Sequence, residues 1–384
     1  MFRLRLKNFA ISALIAATGA SVLPAVARAA DPIRIGLLLS ITGPAAPFGI
    51  PERDAIEIIA KKINTEGGVN GRMIELKIYD DATNPTEAAR GATQLIQNDK
   101  VVAIVGSTTG SGTLAAGPVA MRYQVPMLAP NGTIAVTAKS NQFYPWIFRT
   151  ITNDIDNTKV MLERAIKGGA KKVGIFYQED AYGKNTADYL QELAKKAGIE
   201  ITGVAAGPMN STDLTPQATR IRNAGPEVVL IQASAPAVGA AFVRAARQIG
   251  LTAPLWGPLG LGQKAFIDAS GPAGDGVRLA IPVNWDDPAP ELAQLGKLIT
   301  SAGKTPSGFG ELLGVNGLLA VVEAAKTIKG EISGKTLRDA LERLCGLKTY
   351  TTSTACYSPE NHDGWTGDIL MTVEIRNGKF VTVK

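Results

Sequence analysis

Residues 101–120, VVAIVGSTTGSGTLAAGPVA, decide the fold. An apolar, β-branched run feeds a glycine-rich turn, and an alanine-rich segment follows. That order describes a strand entering a helix through a tight turn, the unit from which parallel α/β sheets are built. Gly110-Ser111-Gly112-Thr113-Leu114-Ala115 even fits the G-x-G-x-x-A form of the dinucleotide fingerprint. A dinucleotide site also needs an acid about 20 residues on for the ribose, and no Asp or Glu occurs between Val101 and Asn153. A phosphate loop needs a lysine, and the first after Val101 is Lys139. The turn instead reads as a nest of N–H donors and hydroxyls from Ser107, Thr108, Thr109, Ser111 and Thr113. Such a nest suits one carboxylate, held by hydrogen bonds and the positive end of a helix. Its alternative is a glycine turn that serves packing alone. A second hydroxyl-rich turn, APNGT at 129–133, follows the next strand and should lie beside the first.

Working outward, strand-like and helical segments alternate. IRIGLLLS (33–40) and MIELKIYDD (73–81) read as strands, and PERDAIEIIAKKINTEG (51–67) as a helix with Ala55, Ile58, Ile59 and Ile63 on one face. Asn84, Pro85 and Glu87 mark a helix start with a capping box. PMLAP (126–130) is the next strand. The pattern restarts near residue 157 with helix, KKVGIFYQ, helix, IEITGVAAG, helix, EVVLIQAS and PAVGAAFVRAARQIG, the last ending at a C-capping Gly250. Two α/β units thus lie in tandem. Three further helical segments (about 291–302, 309–328 and 335–344) and two strands, ILMTVEI and FVTV, are too few for a third domain and should complete the first two.

The N-terminus carries Arg3, Arg5 and Lys7, then an apolar stretch, then Ala27-Arg28-Ala29. This reads as a secretory signal with cleavage expected near Ala29 or Ala30, so the mature protein is expected to be exported. Removing residues 1–30 takes away Arg3, Arg5, Lys7, Arg28 and no acid, so the formal charge falls from +6 to +2. No concentrated basic patch of a nucleic-acid binder remains. In an oxidising compartment, the two cysteines, Cys345 and Cys356, are expected to form one local disulfide. With two cysteines and one histidine, a soft-metal centre lacks ligands. His362 sits in a turn-like loop, YSPENHDGW, and no G-x-S-x-G elbow occurs, so an exported enzyme is the weaker class of reading. No catalytic residue, cofactor or metal is expected.

The order of IRIGLLLSITGP, INTEGGVNGRMIELKIYDDATNP, VVAIVGSTTGSGTLA, MLAPNGT, FRT, DAYGKNTADYL and LWGPLGL resembles a known family. It is similar to the exported solute-binding proteins of ABC transporters, of the branched-chain amino-acid type (type I periplasmic binding fold). The resemblance implies two Rossmann-like lobes with parallel-sheet cores and three hinge crossings, near residues 150, 283 and 349. Residues 31–149 plus 284–349 would form lobe 1, and 150–283 plus 350–384 lobe 2. It also implies a monomer that traps a small molecule and delivers it to inner-membrane permease subunits. A sensor that docks on a receptor uses the same closed surface and stays open as a role.

The family's pocket carries over unevenly. A hydroxyl often stands at the place of Gly110, with Ser111 here as a neighbouring substitute. Asn131 and Thr133 match positions that hold the ligand's carboxylate and amino group, Tyr182 an aromatic residue of the second lobe, and Ser234 a place where tyrosine can occur. Leu259 falls where amino-acid binders put the glutamate that neutralises the α-ammonium. An unpaired ammonium in a closed cleft costs several kcal/mol. The expected ligand is therefore an aliphatic or aromatic carboxylate without an α-amine, packed on Phe48, Tyr182, Leu259 and Trp256. The alternative is an amino acid or amide whose ammonium another acid, such as Asp180, accepts.

Overall fold

The computed structural model describes residues 1–2, 31–351, 353–366 and 370–383. The expected leader lies outside the described residues, apart from its first two. Strands β1 (Ile33–Leu39), β2 (Ile74–Asp80), β3 (Ala103–Gly106), β4 (Met127–Ala129) and β5 (Ile147–Arg149) form one sheet in the order β2-β1-β3-β4-β5. Every pair in it is parallel. The order reverses between β1 and β3, so a crevice opens beyond their carboxyl ends, where Ser40 and Ser107–Thr109 lie.

Helices α1 (Ala46–Thr65), α2 (Pro85–Gln97) and α3 (Gly110–Tyr123) connect these strands. The sequence pattern starts the first helix at Pro51, yet α1 begins a full turn earlier, with Pro47 in its first turn and Pro51 inside. Packing overrides the proline signal there. A Cβ on Gly49 would meet the Ser40 carbonyl oxygen at 2.1 Å, so the extra turn lies directly against the β1 exit. It carries Phe48 to the crevice and Glu52 beneath it. Asn84 caps α2 by accepting from the N–H groups of Thr86 and Glu87, while the Glu87 carboxylate turns to Arg90.

The second lobe runs α4 (Asp154–Ile166), β6 (Lys172–Gln178), α5 (Ala181–Lys196), β7 (Glu200–Gly207), α6 (Thr215–Asn223), β8 (Val228–Gln232), α7 (Pro236–Gln248), β9 (Leu255–Gly257), α8 (Lys264–Ser270) and β10 (Arg278–Ile281). The chain then returns as α9 (Pro290–Ser301), α10 (Gly310–Lys326) and α11 (Gly334–Leu341), all of which pack into the first lobe's core.

A short antiparallel ribbon follows: β11 (Cys345–Lys348), β12 (Thr354–Cys356) and β13 (Trp365–Thr366). The sequence reading assigned everything after residue 349 to lobe 2, and the structure corrects this. Leu347, Ala355, Tyr357 and Trp365 are buried with β1, α1 and α10. The chain leaves the first lobe between Trp365 and Met371. Its apolar residues there are too sparse to give either period, which hid the ribbon from the sequence. Strands β14 (Met371–Arg376) and β15 (Lys379–Thr382) then extend the second sheet, antiparallel, to the order β15-β14-β10-β9-β8-β6-β7. Ile151, Val283 and Leu370, one from each passage between lobes, meet in a cluster that also contains Phe48, Leu259, Phe309 and Leu313. No helix among the described residues is long and apolar enough to cross a membrane.

Cys345 and Cys356 stand opposite each other across β11 and β12 and are disulfide-bonded. Closing so short a loop contributes roughly 2–3 kcal/mol by restricting the unfolded chain. The double variant Cys345→Ser/Cys356→Ser is expected to lose about that much stability in urea unfolding.

Candidate functional site

A cavity of about 60 Å³ lies between the carboxyl edges of the two sheets. Its first-lobe side is built on the turn after β3. Thr109 is the N-cap of α3, accepting from Gly112 N–H at 3.1 Å, so the positive end of that helix faces the cavity. Two expected ligand donors are engaged elsewhere. The Ser107 hydroxyl donates to Asp81 Oδ2 at 2.6 Å, and the residue is fully buried outside the cavity lining. Thr108 lines the cavity, but its hydroxyl accepts from Ser40 N–H at 3.0 Å and donates to Glu52 Oε2 at 2.6 Å. Burial pushes the Glu52 carboxyl up to about 8. Ser111 does not line the cavity. Its Oγ accepts from Ala181 N–H at 3.3 Å, a bond from α3 to α5 that joins the two lobes.

The second turn, 129–133, sits beside the first, as the sequence suggested. Asn131 braces the pair, donating from Nδ2 to Ser107 O at 3.0 Å and Thr113 Oγ1 at 3.1 Å. Thr133 fills the space that Gly110 leaves: a Cβ at 110 would stand 2.2 Å from Thr133 Oγ1. Asn131, Thr133 and Gly110 all line the cavity.

Opposite them, Asp180 caps α5, accepting from Gly183 N–H at 2.8 Å and from Gln178 Nε2 at 2.7 Å. Burial raises its pKa. Ser234 accepts from the same Gln178 amide at 3.0 Å. Burial, and then the acids Asp154 and Asp180, raise the Tyr182 hydroxyl well above its ordinary value. Phe48 and Phe309 meet edge to face at 5.4 Å and form an apolar wall with Ile151, Leu259 and Leu313. Trp256 does not join them. It is buried in the second lobe's core, with the Arg278 guanidinium over its ring at 5.8 Å.

Sequence reasoning missed Asp154. It lies in the first turn of α4, capped by Asn153, three residues before the point where the sequence pattern starts a helix. In the fold it is 3 % exposed and lines the cavity, and its Oδ2 finds no hydrogen-bond partner among the described residues. A Cβ on Gly132 would lie 2.1 Å from Asp154 Oδ1, so the carboxylate rests on the 129–133 turn. Burial pushes its pKa up to about 7, with the Arg149 charge opposing the shift. The cavity thus has uncharged donors and a helix N-terminus at one side, the Asp154 carboxylate against that same 129–133 turn, Asp180 opposite, and an apolar wall. His362 is 1 % exposed, stacked between Tyr144 and Phe148, and does not line the cavity.

Residues 32–379 match the family described as periplasmic binding protein. The leucine-, isoleucine-, valine-, threonine- and alanine-binding protein of Pseudomonas aeruginosa is 29% identical over 340 residues, covering 86% of this chain and 87% of the relative. A leucine-binding protein of Thermotoga maritima superposes with a TM-score of 0.80 at 21% identity, over 92% of this chain and 98% of its own. A solute-binding protein of an ABC transporter from Rhodopseudomonas palustris, solved with benzoate, gives 0.80 at 21%, over 92% and 95%.

The close approach of Gly110 to Thr133 has a direct consequence. Gly110→Ala must displace the Thr133 side chain at a cost of roughly 1–3 kcal/mol. Calorimetric titration with the bound solute is expected to show an affinity loss of that size, with unchanged far-ultraviolet circular dichroism.

Proposed function

This chain belongs to the periplasmic binding protein family, and from that premise we propose that it is the solute-binding component of an ABC importer, closing on a small apolar α-amino acid. The carrying observation is Asp154, a buried carboxylate with an unpartnered oxygen at the cavity. Such a group is costly unless a cation reaches it. An α-ammonium supplies that cation. The ligand carboxylate then faces the α3 N-terminus and the 129–133 turn, and the side chain packs on Phe48, Phe309 and Leu259. Asp154 thereby answers the objection raised by Leu259, which offers apolar contact where an acid was needed. The amino-acid binders among the relatives support the same choice.

A carboxylate without an amine is the second reading, favoured by the wholly apolar Leu259 wall. It requires Asp154 to stay protonated beside the ligand. The two readings give opposite pH dependences. Asp154 ionises near 7 in the free protein, and an ammonium lowers that value on binding. Leucine affinity therefore rises with pH up to about 7 and is expected to be roughly tenfold weaker at pH 6 than at pH 8. An amine-free acid repels the ionised form and tightens as the pH falls.

Calorimetry on leucine and 4-methylpentanoate is the test. Leucine is expected to bind more than roughly a hundredfold tighter, because a buried charge without its partner costs about 3–5 kcal/mol. Asp154→Asn should remove most of that preference and flatten the leucine pH profile. Tighter binding of 4-methylpentanoate, strengthening on acidification, would establish the second reading.

A further inference from the structure

We propose that Arg149 is the positioning residue of the cleft's anion-binding turn, and that the disulfide-stapled ribbon holds it in place through Asp363. The turn Asn131-Gly132-Thr133 consists of small residues with several accessible backbone conformations. A backbone carbonyl aimed at a bound carboxylate repels it, so the turn binds an anion only when its carbonyls are drawn off. All three are. Arg149 Nη1 donates to Thr133 O at 2.9 Å and to Asn131 O at 3.4 Å, and Asp154 N–H donates to Gly132 O at 2.9 Å. Arg149 is fully buried and does not line the cavity, so it acts from behind the turn.

The guanidinium is itself fixed on its other edges. Its Nε donates to Asp363 Oδ1 at 2.9 Å and its Nη2 to Thr137 Oγ1 at 2.6 Å, while the Thr137 hydroxyl also contacts the Asp363 carboxylate. The Arg149 main chain is held by the same loop: its N–H donates to His362 O at 2.9 Å, and its carbonyl accepts from the Tyr357 hydroxyl at 2.6 Å. Tyr357 in turn accepts from Trp365 Nε1 at 2.8 Å. The loop 357–365 therefore clamps residue 149 from both sides, and Arg149 passes that constraint to the ligand turn. A buried guanidinium persists only with its carboxylate and hydrogen bonds in place. Lysine lacks the planar fork that reaches two carbonyls, a hydroxyl and a carboxylate together.

This inference rests on the reading of the cleft as an amino-acid site. The experiment compares wild type, Asp363→Asn and Arg149→Lys by calorimetry against leucine and leucinamide, which differ in the carboxylate alone, with melting temperatures recorded beside them. Asp363→Asn, the milder change, keeps the test open should Arg149→Lys fold poorly. Both variants are expected to weaken leucine by roughly tenfold or more, the scale of one hydrogen bond to a charged group, and to change leucinamide by less than about threefold. Equal losses for both ligands would mean a general packing role and overturn the proposal, as would unchanged leucine binding in both variants. A wild-type protein that binds no leucine overturns the cleft reading, and the proposal with it. Wild-type binding that the variants leave intact overturns the proposal alone.

Discussion

The hydrogen bonds from Ser107 to Asp81 and from Thr108 to Glu52 are the constraint on which the site depends. They anchor the β3–α3 turn to acids from two other elements, beneath the point where strand order reverses. Each hydroxyl donates to one oxygen of a carboxyl that has been taken out of water, and each carboxyl fixes a hydroxyl that would otherwise rotate. Ser40 joins both arms, through its N–H to Thr108 and its hydroxyl to Asp81. With the turn immobilised from below, the N-terminus of α3 presents a fixed direction to the cleft. The cleft is thus organised by polar groups of which Thr108 alone lines the cavity.

The second lobe brings acids to these neutral donors, Asp154 against the 129–133 turn and Asp180 opposite it. Asp154 and Asp180 both lie at helix starts, where the helix dipole stabilises an anion, and burial nonetheless raises the pKa of each. One lobe therefore offers neutral donors and the other offers acids, with an aromatic and aliphatic wall between. Ser111 and Ala181 span the same gap by a direct hydrogen bond. Ligand and protein thus share the task of holding the lobes together.

The parallel-sheet cores, the two tandem α/β units and the two neighbouring turns were legible because β-branched runs and glycine punctuation are local signals. So were Gly110, Asn131, Thr133, Tyr182, Ser234, Leu259 and Phe48 as lining residues. The direction in which a hydroxyl points is not local. Ser107, Thr108 and Ser111 belong to a donor-rich turn by composition, and only the tertiary positions of Asp81, Glu52 and Ala181 decide that they face elsewhere. Asp154 was hidden for the converse reason. It precedes the point where the helical pattern registers in the sequence, and only burial against Gly132 makes it a site residue. The ribbon at 345–366 escaped because its strands run two to four residues, too short for an alternating pattern to register.

The cluster that unites Ile151, Val283 and Leu370 with Phe48, Leu259 and Phe309 binds two properties into one set of side chains. The surface proposed to contact the solute is also the padding around the passages between the lobes. Interiors packed to this density pass a volume change on to their neighbours. Solute contact and inter-lobe packing are therefore inherited together. A lineage or a biosensor designer that recarves this wall for a bulkier solute also alters the packing around all three passages between the lobes.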